Sequence, residues 1–140
     1  MTKAIPQVQS FMTTCPHTVG IDQPLSVAEE LMKKYHIRHL PVLEGGTLTG
    51  IITDRDIKLC RDFIDGDNAS VKVGDVCEEA VYTVSPSSPL NEVVTGMAEG
   101  KFGSSVVVDH GKVVGIFTSI DVMIALATLL ETRLKADHRG

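Results

Sequence analysis

The sequence predicts a mixed α/β fold built from two copies of one β-α-β-β-α unit. Three observations predict it. A single constant shift lays Thr18-Val19 on Thr83-Val84, Pro24-Leu25 on Pro89-Leu90, Met32 on Met97 and Val42 on Val107. With no gap from Thr18 to Asp121, it also lays Gly46 on Gly111, Gly50-Ile51 on Gly115-Ile116, Thr53 on Thr118 and Asp56 on Asp121. Finally, each copy alternates short apolar runs with one amphipathic stretch and closes on Gly-x-x-Thr-x-x-Asp. Residues 1–66 are expected to form the first repeat and 67–140 the second. A unit of about sixty residues buries too little surface to stand well alone, so the two should form one integrated module.

In the first copy His17-Thr18-Val19-Gly20 reads as a short strand, and Asp22-Gln23-Pro24 as a turn that starts a helix. The helix is expected from about Leu25 to Tyr35, with Ala28, Leu31, Met32 and Tyr35 as its buried stripe and Glu29, Glu30, Lys33 and Lys34 in water. Leu40–Leu43 is an apolar strand, Glu44-Gly45-Gly46-Thr47 a hairpin turn, and Leu48–Ile52 the return strand. Thr53 then opens a helix to about Ile64, and Asp65-Gly66-Asp67-Asn68 has the composition of a linker. The second copy repeats the plan: a strand around Tyr82–Val84, a helix over about Leu90–Glu99, then strands Ser105–Val108 and Val113–Phe117 around Asp109-His110-Gly111-Lys112. Its last helix should start at Thr118 and run past Leu130.

With 43% hydrophobic and 22% charged residues, the chain has the composition of an ordinary globular protein. Net charge −5 and a pI near 5.4 argue against a sequence-independent grip on nucleic acid or anionic membrane. The longest apolar stretch, Val122–Leu130, is too short to span a bilayer, and the N-terminus lacks a signal-peptide pattern. Cys15, Cys60 and Cys77 show no zinc-like spacing and read as reduced, mostly core residues of a cytoplasmic protein. His36 and His39 flank Arg38 where the first helix should end, and read as helix-end polar residues rather than metal ligands. His110 falls in a turn and His138 in a charged tail. There is no nucleophile elbow, Walker loop or carboxylate pair with a base, so no catalytic residues are assigned and the chain is not expected to be an enzyme.

The Thr-x-x-Asp pairs carry the chemistry. At a helix start, threonine accepts from an amide one turn on and the acid favours the positive helix end, so the motif alone is a capping box. Helix N-termini also bind phosphate, and a carboxylate accepts from both hydroxyls of a ribose. The two uses are compatible. Gly50 and Gly115, recurring three residues upstream, would let a ligand approach the backbone closely.

The paired units with their Gly-x-x-Thr-x-x-Asp ends resemble the cystathionine-β-synthase (CBS)-type domain pair, or Bateman module, from about Val8 to beyond Val122. The resemblance implies two repeats related by a pseudo-two-fold axis, sheets packed together and helices outside, with two clefts for adenosine compounds. It would place Asp56 on ribose, Thr53 and Arg55 on phosphate and Ile51 in the wall, with Tyr82 and Phe102 reaching in from the other repeat. The second cleft would take Asp121 on ribose, Thr118 on phosphate and Ile116 in the wall, with His17 and Ile37 from the first. Arg38 would lie between them, for phosphate; His17 reads equally well as a half-buried strand residue, and Arg38 and Arg55 as surface ion-pair residues. Gly103 stands opposite Arg38 and Ile120 opposite Arg55, so phosphate binding should favour the Asp56 cleft. The implied ligand is an adenine nucleotide (AMP, ADP or ATP) acting as regulator, with no cofactor required. The implied partners are a second copy of the chain, through Ile57, Cys60 and Phe63 with Val122, Ile124, Ala125 and Leu129, and a regulated enzyme or transporter. A ligand-free dimerisation scaffold, or a sensor of S-adenosylmethionine or a dinucleotide, are the alternatives.

Overall fold

The computed structural model describes residues 4–63 and 71–137. Four α-helices and two sheets make a mixed α/β fold: α1 Leu25–Tyr35, α2 Asp54–Phe63, α3 Leu90–Gly100 and α4 Ser119–Asp137. One sheet has the order β2-β3-β4, with β2 Val19–Gly20 parallel to β3 His39–Glu44, and β3 antiparallel to β4 Thr47–Thr53. The other has the order β1-β7-β6-β5, from β1 Thr13–Thr14, β7 Lys112–Thr118, β6 Ser104–Asp109 and β5 Thr83–Val84. Here β5 runs parallel to β6 and β1 antiparallel to β7. Helix and strand bounds agree with the sequence expectation to within a residue or two, while Ile64, the linker at 65–68 and His138 lie outside the described residues. None of the described helices is long and apolar enough to cross a membrane.

The chain resolves into two compact units whose bounds cut across the linear repeats. One comprises Met1–Thr14, Tyr82–Val108 and Gly115–Gly140; the other, Cys15–Val81 and Asp109–Val114. The segment leading each repeat therefore belongs to the unit built on the other repeat. In the first unit the short 3-10 helix Val8–Ser10 sits beside α3, with Val8 N–H donating to Ser88 C=O (2.9 Å) and Leu90 N–H to Pro6 C=O (2.8 Å). In the second, the 3-10 helix Val73–Asp75 sits beside α1, with Leu25 N–H donating to Val71 C=O (2.7 Å) and Val73 N–H to Gln23 C=O (2.9 Å). Val8 and Val73, which the shift of the repeat lays on one another, are both fully buried. Burying a valine contributes about 1.5–3 kcal/mol, enough to hold such short segments in place.

Burial repeats with the same period. Leu25, Ala28, Met32, Val42 and Ile52 are buried in one unit, and Leu90, Val93, Met97, Val107 and Phe117 at the matching positions of the other. The expected stripe of α1 holds for Ala28 and Met32, and Leu31 packs at the core edge. Tyr35 departs from it: 40% exposed, it lies on the His17 ring instead, because α1 ends at this residue and the chain turns away. That turn passes through His36 in the left-handed region (φ 54°), and α3 ends alike at Lys101 (φ 57°). A residue with a Cβ is strained there where glycine is not. His36→Gly and Lys101→Gly are each expected to stabilise the fold by about 0.5–1 kcal/mol, read as a raised denaturation midpoint.

Two faces expected to be apolar and open are only partly so. Ile57 and Ala125 are buried in their own units, 2% and 3% exposed, because they sit on the inner stripes of α2 and α4. Of the expected residues Phe63 and Ile124 are open, and they are joined by Leu59 on α2 and by Ile120, Met123, Leu126 and Leu130 on α4. The cysteines also depart from a core reading: Cys15 is exposed, while Cys60 and Cys77 are half-buried.

Candidate functional site

Both Thr-x-x-Asp motifs sit where a strand ends and a helix begins. Thr53 ends β4 and Asp56 lies on the first turn of α2; Thr118 ends β7 and Asp121 lies on the first turn of α4. Thr53 N–H donates to Asp56 Oδ2 (2.9 Å), and Asp56 N–H donates back to Thr53 Oγ1 (3.1 Å), a reciprocal capping box. In the second copy Thr118 N–H donates to Asp121 Oδ2 (2.9 Å), but here the threonine hydroxyl also donates to that oxygen (3.2 Å). The Thr118 proton is thus committed internally. The Thr53 hydroxyl accepts through a lone pair and donates to no group among the described residues. In both motifs only Oδ2 of the carboxylate is engaged among the described residues, leaving Oδ1 able to accept.

The remaining candidates fall into groups. His17, Ile37, Arg38, Ile51, Thr53, Arg55 and Asp56 belong to one unit; Tyr82, Phe102, Ile116, Thr118 and Asp121 to the other. Ile51 and Ile116 are buried on their strands, whereas Arg38 and Arg55 are both exposed. The His17 ring stacks on Tyr35, centroids 3.7 Å apart and 16° from parallel. Tyr82 stacks on Phe102 at 5.5 Å and 13°. That second pair is seated on α3, where a Cβ at Gly96 would lie 2.1 Å from the Tyr82 hydroxyl and one at Gly100 2.3 Å from the Phe102 ring. Ile37 and Arg38 line a groove of about 320 Å³ between α1 and α2, to which Thr53, Arg55 and Asp56 do not contribute.

The two upstream glycines serve a purpose other than the expected one. A Cβ on Gly50 would lie 2.8 Å from the Glu78 carbonyl oxygen and 3.1 Å from Cys77 Sγ; on Gly115 it would lie 2.4 Å from Met12 Sδ. The close approach is made by the chain's own leading segments rather than by a ligand. Ile51 and Glu78 exchange two backbone hydrogen bonds, 2.9 and 2.8 Å, that hold the first of these contacts. Met12 and Cys77 are themselves matched by the shift of the repeat, the signal by which the sequence could have found them. The Cys77 thiol has its pKa raised above the ordinary cysteine value, by burial first and then by the carboxylates of Glu79 and Asp56.

Comparison with known proteins follows the same division into repeats. The family model described as CBS domain matches residues 8–60 and again 73–128. The chain belongs to the CBS domain family. Among CBS proteins it is similar to the CBS domain-containing protein YhcV of Bacillus subtilis (strain 168), 32% identical over 117 residues that cover 84% of this chain and 83% of that one. The CBS domain pair of protein MJ0100, crystallised in complex with 5′-methylthioadenosine and S-adenosyl-L-methionine, superposes with a TM-score of 0.80 at 27% identity, covering 89% and 98% of the two chains. The crystal structure of CBSX2 in complex with AMP superposes with a TM-score of 0.72 at 28% identity, covering 88% and 97%.

Proposed function

We propose that this CBS pair is a regulatory module that binds an adenine nucleotide, AMP, ADP or ATP, at its two Thr-x-x-Asp helix starts and signals occupancy to a partner. The observation that carries this reading is the pair itself: two helix N-termini, each with a carboxylate whose Oδ1 is unengaged among the described residues and could accept from ribose. AMP in the CBSX2 structure supports the ligand class. The clefts would form between the repeats, 1–66 and 67–140, with Asp56 and Asp121 on ribose and Thr53, Arg55, Thr118 and Arg38 toward phosphate. Ile51, Ile116, Ile37, His17, Tyr82 and Phe102 would contact the base. The module acts in the cytoplasm as a homodimer through the open apolar residues of α2 and α4. Any catalysis it governs belongs to a partner enzyme or transporter.

S-adenosylmethionine is the second reading, supported by its presence on the MJ0100 pair. Its sulfonium cation is repelled by Arg38 and Arg55, which directs it to the Asp121 side. A thermal-shift panel tests both readings against a ligand-free scaffold. A ligand at a hundred times its dissociation constant stabilises by about 2.7 kcal/mol, which for a chain of this size raises the melting temperature by roughly 5–10 °C. AMP, ADP or ATP is expected to give that shift. No shift with any adenosine compound would sink the sensor reading and leave the scaffold.

A further inference from the structure

The groove between α1 and α2 is a second basic feature, which adjoins the first Thr-x-x-Asp start through Asp54 but is not lined by Thr53, Arg55 or Asp56. Four basic side chains line it, Lys33 and Arg38 from the α1 side and Lys58 and Arg61 from α2, against two carboxylates, Glu29 and Asp54. Glu29 pairs with Lys33 (3.3 Å) and with Arg61, and Asp54 pairs with Lys58 (3.0 Å). Two positive charges are thus left over in a chain whose net charge is −5. The Arg38 side chain makes no ion pair among the described residues. The floor is apolar: Met32 and Ile57 are buried beneath it.

The fold does not require these charges. At the matching positions of the second repeat, Lys33 becomes Ala98, Arg38 Gly103, Lys58 Met123 and Arg61 Leu126. Glu29 and Asp54 become Val94 and Ser119. One helix pair therefore carries a basic, carboxylate-buttressed groove where its sister keeps a single charged residue, Lys101 at the position of His36. Ion pairs at a surface contribute little to stability, so structural need alone does not account for six charged residues gathered here. They can be re-formed around an incoming anion, and lysine and arginine on opposite rims are the side chains that hold phosphoryl oxygens. A pocket of about 320 Å³ lies at the small end of the range for bound metabolites.

We propose that the α1–α2 groove of the first repeat, carried by Lys33, Lys58 and Arg61, is an anion site for a small phosphorylated molecule with two or more negative charges, sharing only Ile37 and Arg38 with the proposed nucleotide clefts. Inorganic pyrophosphate, titrated by calorimetry at low and at moderate salt, is the probe. The intact chain is expected to bind it saturably and more weakly as salt rises. Lys58→Met/Arg61→Leu, which installs the second repeat's residues, is expected to bind at least tenfold more weakly. Lys33→Ala/Lys58→Ala, which keeps the Arg61–Glu29 pair, carries the same expectation should the first variant not fold. Asp56→Asn/Asp121→Asn is expected to bind pyrophosphate as the parent does, so a failed nucleotide reading leaves this result untouched. Absence of saturable binding, groove variants that bind normally, or loss of binding in Asp56→Asn/Asp121→Asn would each overturn the proposal.

Discussion

Gly50→Val is expected to lower the unfolding free energy by about 2–6 kcal/mol, well beyond what the same change costs at an ordinary strand position. A Cβ at Gly50 already meets a backbone oxygen, Glu78 C=O at 2.8 Å, and backbone cannot rotate aside as a side-chain tip can. The segment around Cys77 must move, and the two hydrogen bonds between Ile51 and Glu78 go with it. Overpacking costs about 1–3 kcal/mol and each lost hydrogen bond about 0.5–1.5 kcal/mol, which sets the range. Gly115→Ala is the control. Its obstacle is the flexible thioether of Met12, so a loss of only about 1 kcal/mol is expected there. Urea denaturation of both variants measures this. Equal losses, or a Gly50→Val variant as stable as the parent, would mean that the leading segment does not depend on this contact.

That contact also marks the limit of what the sequence disclosed. The long elements were legible because their signals extend over many residues: the apolar spacing of Leu25, Ala28 and Met32 specifies a face of α1, and the Gly-Gly and His-Gly turns specify two hairpins. The repeat made each such reading count twice. The segments that cross between the repeats were not legible in this way. Three residues of 3-10 helix or two of strand have no periodicity, so Val8–Ser10, Thr13–Thr14 and Val73–Asp75 left only the repeat's match of Val8 with Val73 and Met12 with Cys77. Without those segments in view, Gly50 and Gly115 looked open to a ligand, when each in fact admits a piece of its own chain. At the candidate site the Thr–Asp pairing was readable from spacing alone, since a capping box is local. The direction of the threonine proton was not, because it depends on how each hydroxyl is turned toward its own aspartate.

That difference in proton direction makes the two aspartates unequal, and Asp56→Asn is expected to be the most damaging single change for nucleotide binding. The asparagine side-chain oxygen can still accept from Thr53 N–H, so the cap is kept and the helix loses only the dipole term of about 0.3–1 kcal/mol. What goes is the anion that would accept from ribose. A hydrogen bond to a charged group is worth about 1.5–3 kcal/mol, so AMP affinity should fall tenfold or more while the denaturation midpoint moves little. Asp121→Asn is expected to weaken AMP less, because its threonine proton is already spent on the carboxylate and Ile120 stands where Arg55 does. Arg55→Ile, which copies the second motif into the first, should weaken ATP more than AMP, since the role proposed for the lost cation is on the phosphates. Calorimetry on the three variants separates ribose from phosphate. Parental AMP affinity in Asp56→Asn would remove the carboxylate from the ribose role, and a uniform loss for AMP and ATP in Arg55→Ile would remove the arginine from the phosphate role.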